Sequence, residues 1–220
     1  MSDPCDLIFR EQQTADDRRQ IDIQRGTAMT EMDDTVPEAS AAWLEARFGK
    51  GSLWRPAAAD LPAELTHQGT RDFLTTTGFP AVNIDIINFD STDLLSEDGD
   101  ALYLFDADEL YGYRYPDDES PPENFCLSFG TRGDQKLMLD CESGGIDHYD
   151  PNGWDHGAGY KGQAASSLPD LAVLLGLIAE RCDELASSEH EVRATAVAKL
   201  REDMRDHDPA IDDSPFWDGV

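Results

Sequence analysis

The sequence predicts a domain that combines helices with a mostly antiparallel sheet. Three observations predict it. Apolar segments alternating with polar residues fill the middle of the chain and are joined by short turns rich in glycine and aspartate. Apolar residues at helical spacing occupy the last quarter. The chain has 220 residues, of which 40 % are hydrophobic, enough to bury a core and outside the composition of disordered chains.

Residues 1–34 are polar and mixed in sign, with Leu7-Ile8-Phe9 as the one apolar patch. They read as a disordered or loosely attached leader. Met29 and Met32 stand just before the first helix-like segment, so the leader also reads as a start-site artefact. The folded domain is expected over 35–220. From Pro37 a helix runs through Ala41, Ala42, Trp43, Leu44, Ala46 and Phe48, and Gly49 ends it as a C-cap. Residues 53–65 form an ordered connection with two prolines. A short helix over 66–75 carries Arg71, Phe73 and Leu74 and stops before Gly78-Phe79-Pro80.

At Ala81 the period changes. Val82, Ile84 and Ile86 alternate with Asn83, Asp85 and Ile87, predicting one strand to Phe89. An acidic loop over 90–100 leads to a strand at 101–105 and a second aromatic stretch at 110–115. After the acidic, proline-rich loop 116–122, strands are expected at 124–130, 135–141 and 146–149, joined by turns at Thr131-Arg132-Gly133-Asp134 and Glu142-Ser143-Gly144-Gly145. Leu171, Leu174, Leu175, Ile178, Cys182 and Leu185 share one helix face, with Ser167 as N-cap and Pro169 in the first turn. Val192, Ala196, Leu200 and Met204 form a second stripe. Phe216-Trp217 is placed to dock back onto the core. No internal repeat is visible.

The formal net charge is -29, from 46 acidic and 17 basic residues. Such a surface repels nucleic acid phosphates and anionic lipid, and it attracts cationic partners. Solubility, a saline cytoplasm or high genomic GC explains the same bias, given four lysines against thirteen arginines. Cys5, Cys126, Cys141 and Cys182 include no CxxC pair, which argues against zinc and for buried free thiols in a reducing compartment. There is no basic start followed by an apolar run and no apolar stretch of bilayer length, so a cytoplasmic location is expected.

No motif for catalysis stands out. His148, Asp150, Asp155 and His156 lie close in sequence, but their spacing matches no metal motif, and a solvated loop is the favoured reading. Ser166-Ser167 lacks a G-x-S-x-G frame and reads as helix capping. The turns Gly130-Thr131-Arg132-Gly133 and Gly157-Ala158-Gly159-Tyr160-Lys161-Gly162 carry neither phosphate-binding pattern. No cofactor, metal or catalytic residue is expected. The aromatic run Tyr103, Phe105, Tyr111, Tyr113, Tyr115 reads mainly as sheet core, with some tyrosines facing a partner as the alternative.

Four stretches give the chain a family likeness. They are Thr70-Arg71-Asp72-Phe73-Leu74 running into Gly78-Phe79-Pro80, then Leu127-Ser128-Phe129-Gly130, then Leu137-Met138-Leu139-Asp140 with Glu142-Ser143-Gly144-Gly145-Ile146, and last Ala165-Ser166-Ser167-Leu168-Pro169-Asp170-Leu171. With the ending Asp208-Pro209-Ala210 and Phe216-Trp217, they resemble the SUKH superfamily over about residues 40–218. Within it they resemble the fourth group of immunity proteins of bacterial polymorphic toxin systems. Ala165 stands where that group has asparagine, and Gln163 where it has an apolar anchor. The resemblance implies an α+β fold in a single domain, a twisted, largely antiparallel sheet flanked by helices. It also implies a non-enzymatic role, binding and silencing a cognate protein toxin.

Charge then suggests where the toxin binds. Between Asp85 and Glu123 there are thirteen acidic residues and one basic residue, Arg114, a denser imbalance than in the whole chain. Within that segment Asp98, Asp100, Asp108, Glu109, Tyr111, Tyr113, Tyr115, Asp117, Asp118 and Glu119 are the candidate partner-binding residues. Carboxylates beside exposed tyrosines imitate the phosphates and bases of a nucleic acid, which suits occlusion of a basic nuclease or deaminase. The partner is thus expected to be a cationic toxin, with no nucleic acid or membrane bound directly and the chain a monomer or weak oligomer. The alternatives are a regulatory or scaffold module of the same fold and, ranked last, an enzyme using the 148–156 loop.

Overall fold

The computed structural model describes residues 38–96, 102–115, 117, 119–153 and 159–218. The leader 1–34, Asp98, Asp100, Asp118, Asp155 and His156 therefore lie outside the described residues. The structure is α+β, with a largely antiparallel sheet flanked by helices. Among the described residues, no helix is long and apolar enough to cross a membrane.

The first helix, α1 (Ala41–Phe48), starts where the Ser40 hydroxyl accepts from the Trp43 amide at 3.3 Å. It ends at Gly49, whose φ of 90° is open to a residue without Cβ. Leu44 and Phe48 are its buried residues. β1 (Leu53–Trp54) then pairs with β2 (Phe79–Pro80) in a small separate sheet. Between them, α2 (Gln68–Thr76) is capped by His67, whose Nδ1 accepts from the Thr70 amide.

The main sheet runs β3 (Asn83–Ile84), β4 (Phe89–Asp90), β6 (Phe125–Arg132), β7 (Gln135–Asp140), β8 (Ile146–Tyr149), β9 (Tyr160–Ala165). β5 (Phe105–Asp106) joins β6 at Phe125 and Cys126, at the end away from β4. Every pairing is antiparallel. Leu127, Phe129, Leu137, Leu139, Ile146 and Ala165 are buried under the helices. α4 (Leu168–Glu180) lies at the centre of that layer. Nine of its residues are buried, so it is apolar on nearly every side, as a fully enclosed helix must be. Trp43 packs onto Gly176, where a Cβ would stand 2.3 Å from the indole. α6 (His190–His207) closes the layer through Ala196, Leu200 and Met204.

Several sequence expectations are corrected. The single strand over 81–89 is two short strands around a turn of 3-10 helix at Asp85–Ile87. Asn88 makes the reversal in the left-handed region, at φ 54°, which asparagine tolerates better than most residues. The strand at 101–105 is reduced to β5, and the stretch 110–115 contains no strand. It follows α3 (Ala107–Leu110), capped by the Asp106 carboxylate. Of the aromatic run, Phe105 and Tyr111 pack against the sheet and the other three do not. Tyr103, Tyr113 and Tyr115 are exposed, at 58, 82 and 65 %. The glycine-bearing turn expected up to Gly162 is replaced from Tyr160 onward by β9. The helical face ending at Leu185 breaks at Arg181, whose φ of -109° and ψ of 12° leave the helix, and α5 (Cys182–Leu185) follows. Val192, the first member of the second stripe, is exposed.

The docking of Phe216-Trp217 holds. Both are buried, and the Trp217 indole donates to the Ala164 carbonyl at 2.7 Å. Cys126, Cys141 and Cys182 are buried free thiols.

Candidate partner-binding face

Strand alternation gives the sheet a second face, turned away from the helix layer. Cys126 and Ser128 of β6, Lys136, Met138 and Asp140 of β7, Asp147 and Tyr149 of β8, and Tyr160 and Gln163 of β9 occupy it. The register sets them in rows: Cys126 opposite Asp140, Ser128–Met138–Asp147–Gln163, and Lys136–Tyr149–Tyr160. One short segment covers part of this face. Ala107 packs with Cys126 and Met138, and Phe105, Leu110, Tyr111 and Tyr149 border that small cluster.

That segment is held mostly by its own polar groups. Arg114 pairs with Asp106 at 2.5 Å and donates to the Ser120 carbonyl. The Asn124 side-chain amide donates to both oxygens of Asp108, at 3.0 and 2.8 Å. The Asp108 carbonyl accepts from the Tyr113 and Arg114 amides. Gly112, at φ 76°, lets the chain turn back after α3. Lys136 places its ammonium 5.2 Å from the Phe105 ring centre.

The candidate residues from the sequence divide into three groups. Glu109, Tyr113, Tyr115, Asp117 and Glu119 are exposed on this segment. Asp108 is half-buried and engaged with Asn124. Tyr111 turns inward against Tyr149 and Tyr160, at ring separations of 6.2 and 5.7 Å.

The sequence reading missed Asp147, Tyr149 and Tyr160 as members of one face. Asp147 is half-buried, and its pKa is pushed up to about 6 by burial first, with Asp140 adding to the effect and the Tyr111 hydroxyl opposing it. Burial likewise raises the Tyr111 phenol and the Cys126 thiol above their ordinary ranges, and the Asp147 charge adds to both. The Tyr111 hydroxyl lies beside Asp147 yet makes no hydrogen bond of full geometry, although its oxygen is shut off from solvent.

His148 belongs to the opposite face. It is fully buried, with Nδ1 2.9 Å from the Ser214 hydroxyl and Nε2 2.8 Å from Gln135 Oε1. Burial lowers its pKa to about 4. Nδ1 thus anchors the C-terminal tail, while Nε2 is engaged by Gln135 of β7. Among the described residues, no group of three or more His, Cys, Asp or Glu is arranged to hold a metal ion. Ser167 caps α4 by accepting from the Asp170 amide, and Ser166 donates its amide and hydroxyl to the buried Asp208 carboxylate. Both serines are therefore structural.

The face has the composition of a recognition surface: exposed tyrosines and carboxylates around a half-buried aromatic centre. Compared with known proteins, residues 39–220 match the family model described as SUKH-4 immunity protein. No curated protein and no solved structure matches the chain.

Proposed function

We propose, from the premise that the chain belongs to the SUKH-4 immunity protein family, that it neutralises a cationic toxin domain by covering it with the sheet face turned away from the helices. Family membership supports the immunity role and a toxin as partner. The observation that carries the choice of face is the meeting of exposed Tyr113 and Tyr115 with Glu109, Asp117 and Glu119 on one short segment. Tyrosine offers apolar area and a polar tip at low entropic cost, and the carboxylates draw a basic domain in from solution. A basic nuclease or deaminase is the partner such a surface suits. The mechanism is steric and electrostatic occlusion, with no bond made or broken.

Recovery of the bound protein from the native host, followed by mass spectrometry, tests the reading. The expected result is a single secreted protein whose C-terminal domain is basic and toxic when expressed alone. Co-expression of the chain should restore growth, and the combined substitution Tyr113→Ala, Tyr115→Ala should abolish rescue while leaving the chain folded. Recovery of a housekeeping protein that is harmless when expressed alone would instead identify a regulatory module of the same fold.

A further inference from the structure

Building on that reading of the face, we propose that Asp147, with Tyr111, Tyr149 and Tyr160, forms a cation slot that receives one guanidinium or ammonium group from the partner. Asp147 sits in the middle of its row, between Met138 and Gln163. Tyr149 and Tyr160 are cross-strand partners one row away. Tyr111 leans on both of them edge-on, at interplanar angles of 65 and 73°. Three ring systems and one carboxylate thus share one half-enclosed spot.

The charge of that spot is unbalanced. Asp140 approaches Asp147 from β7, Cys126 from β6, Tyr111 from the turn after α3 and Tyr160 from β9. Each is acidic or neutral. Among the described residues, no lysine or arginine pairs with Asp147. Lys136, on the same face of β7, is drawn over Phe105. A carboxylate kept half out of water without a counter-charge is costly, and that cost falls when a cation arrives. Tyrosine rings add a second attraction, because their faces are electron-rich. Neither a neutral group nor an anion relieves the same imbalance, so the class of ligand follows from the site.

The raised pKa of Asp147 fits the same arrangement. Asp147 is ionised at neutral pH and takes up a proton in mild acid. An arriving cation favours the ionised form, so occupancy must release a proton below about pH 6 and weaken as pH falls.

The test uses the whole chain with carboxyl-labelled aspartate, followed by carbon NMR. N-acetyl-arginine amide is the probe, and N-acetyl-citrulline amide, its uncharged isostere, is the control. The expected result is a saturable shift of the Asp147 signal with a Kd in the millimolar range, as suits a single ion pair of a few kcal/mol. Citrulline amide should leave the signal in place, and saturating arginine amide should move its titration midpoint downward. Tyr160→Leu should weaken the response several-fold while the rest of the spectrum stays folded. An Asp147 signal indifferent to arginine amide overturns the slot, as does a cognate toxin whose affinity is the same for Asp147→Asn and the parent chain. Either outcome leaves the immunity reading standing. A chain that gives no protection against the recovered protein, yet binds arginine amide at Asp147, overturns the immunity reading and supports the slot.

Discussion

The described residues between Phe105 and Glu119 and the tail from Asp208 to Asp218 both carry only short elements, yet the sheet uses them in opposite ways. The tail closes the free edge of β9. Asp208 holds Ser166 and the Ala210 amide, Ser214 meets His148, and Trp217 donates to Ala164. Arg132 donates to the Phe216 and Asp218 carbonyls, and Arg201 to that of Trp217. Its buried polar residues, Asp208 and Ser214, are engaged within the molecule, and its aromatic rings are buried. The other segment buries Ala107, turns Tyr111 inward and leaves its remaining tyrosines and many of its carboxylates outside. One region thus covers a strand edge, the kind of surface that templates pairing when left open. The other presents chemistry that the fold does not itself need.

The largest effects should therefore follow from damaging the tail. Trp217→Ala removes a buried ring and its hydrogen bond, and should lower unfolding free energy by about 3–5 kcal/mol in urea denaturation. Gly162→Ala tests the fit of tail to edge. Gly162 has a φ of 105°, and an added Cβ would stand 1.9 Å from the Asp213 carbonyl oxygen. The strand and tail must separate, at a cost of about 1–3 kcal/mol, and the uncovered β9 edge should then show as concentration-dependent self-association in sedimentation. A Gly162→Ala chain as stable and monomeric as the parent would show that the tail is not an edge cover.

How much of this was legible in the sequence follows the same division. The helices α1, α2, α4 and α6 could be read because their signals are local. Ser167, Gly49 and the Leu171–Ile178 face each act within a few residues. The β6–β7–β8 meander could be read from alternation and turns. Phe216-Trp217 was conspicuous as an aromatic pair in a polar tail. The regions misread depend on distant contacts. Tyr160–Ala165 is a strand because β8 and the tail flank it, and its own glycine-bearing sequence says little of that. The run from Tyr103 to Tyr115 alternates like a strand, but Asp106 caps a helix inside it and Gly112 turns the chain. The candidate site was legible only as a density of acid. Asp147 joins Tyr111 and Tyr160 through strand register, which no local pattern records, and the neighbouring His148 faces the core for the same reason.

Acid separates the two regions further. His148 belongs to the tail anchor and is held near pKa 4, below its ordinary 6.5. Between those values the unfolded chain binds a proton that the folded chain refuses. This contribution to stability is complete above pH 6.5 and is lost as pH falls toward 4. Asp147 has the opposite sign. Its pKa is raised from 3.8 to about 6, so between those values the folded chain binds the extra proton. Its ionisation costs the fold stability as pH rises through that window, and protonation restores it. Asp147→Asn should therefore stabilise the chain at pH 7, by a kcal/mol or so once residual solvent screening is allowed for, on the order of one pKa unit. The advantage should close as pH falls from 6 to 4, and the variant should show the full acid loss due to His148. Equal stability of variant and parent at pH 7 would mean that burial does not strain this carboxylate. A residue whose neutralisation steadies the fold while abolishing cation binding is held against stability for the sake of function.

The smallest effect on the fold should come from the outer carboxylates. Glu109, Asp117 and Glu119 are exposed on the segment over the open face. Exposed charges of this kind add little to stability, so Glu109→Gln, Asp117→Asn, Glu119→Gln together should leave the urea midpoint in place. Their effect should appear in the approach of the partner. Charge at a rim acts over a Debye length of about 8 Å at physiological salt, so it raises the encounter rate more than the lifetime of the complex. Stopped-flow mixing with the recovered toxin at low salt should show association slowed several-fold, up to about tenfold, with little change in dissociation. Adding salt should slow the parent toward the variant until the two agree. Tyr113→Ala should give the converse, an unchanged encounter and faster dissociation, because a ring 82 % exposed in the free chain has most of its area still to bury. If the triple variant associates as fast as the parent at low salt, the acidity of this segment serves solubility, and steering belongs to another surface. The carboxylates beside Arg132 at the far end of β6, Asp85, Asp134 and Asp150, are then the next to neutralise.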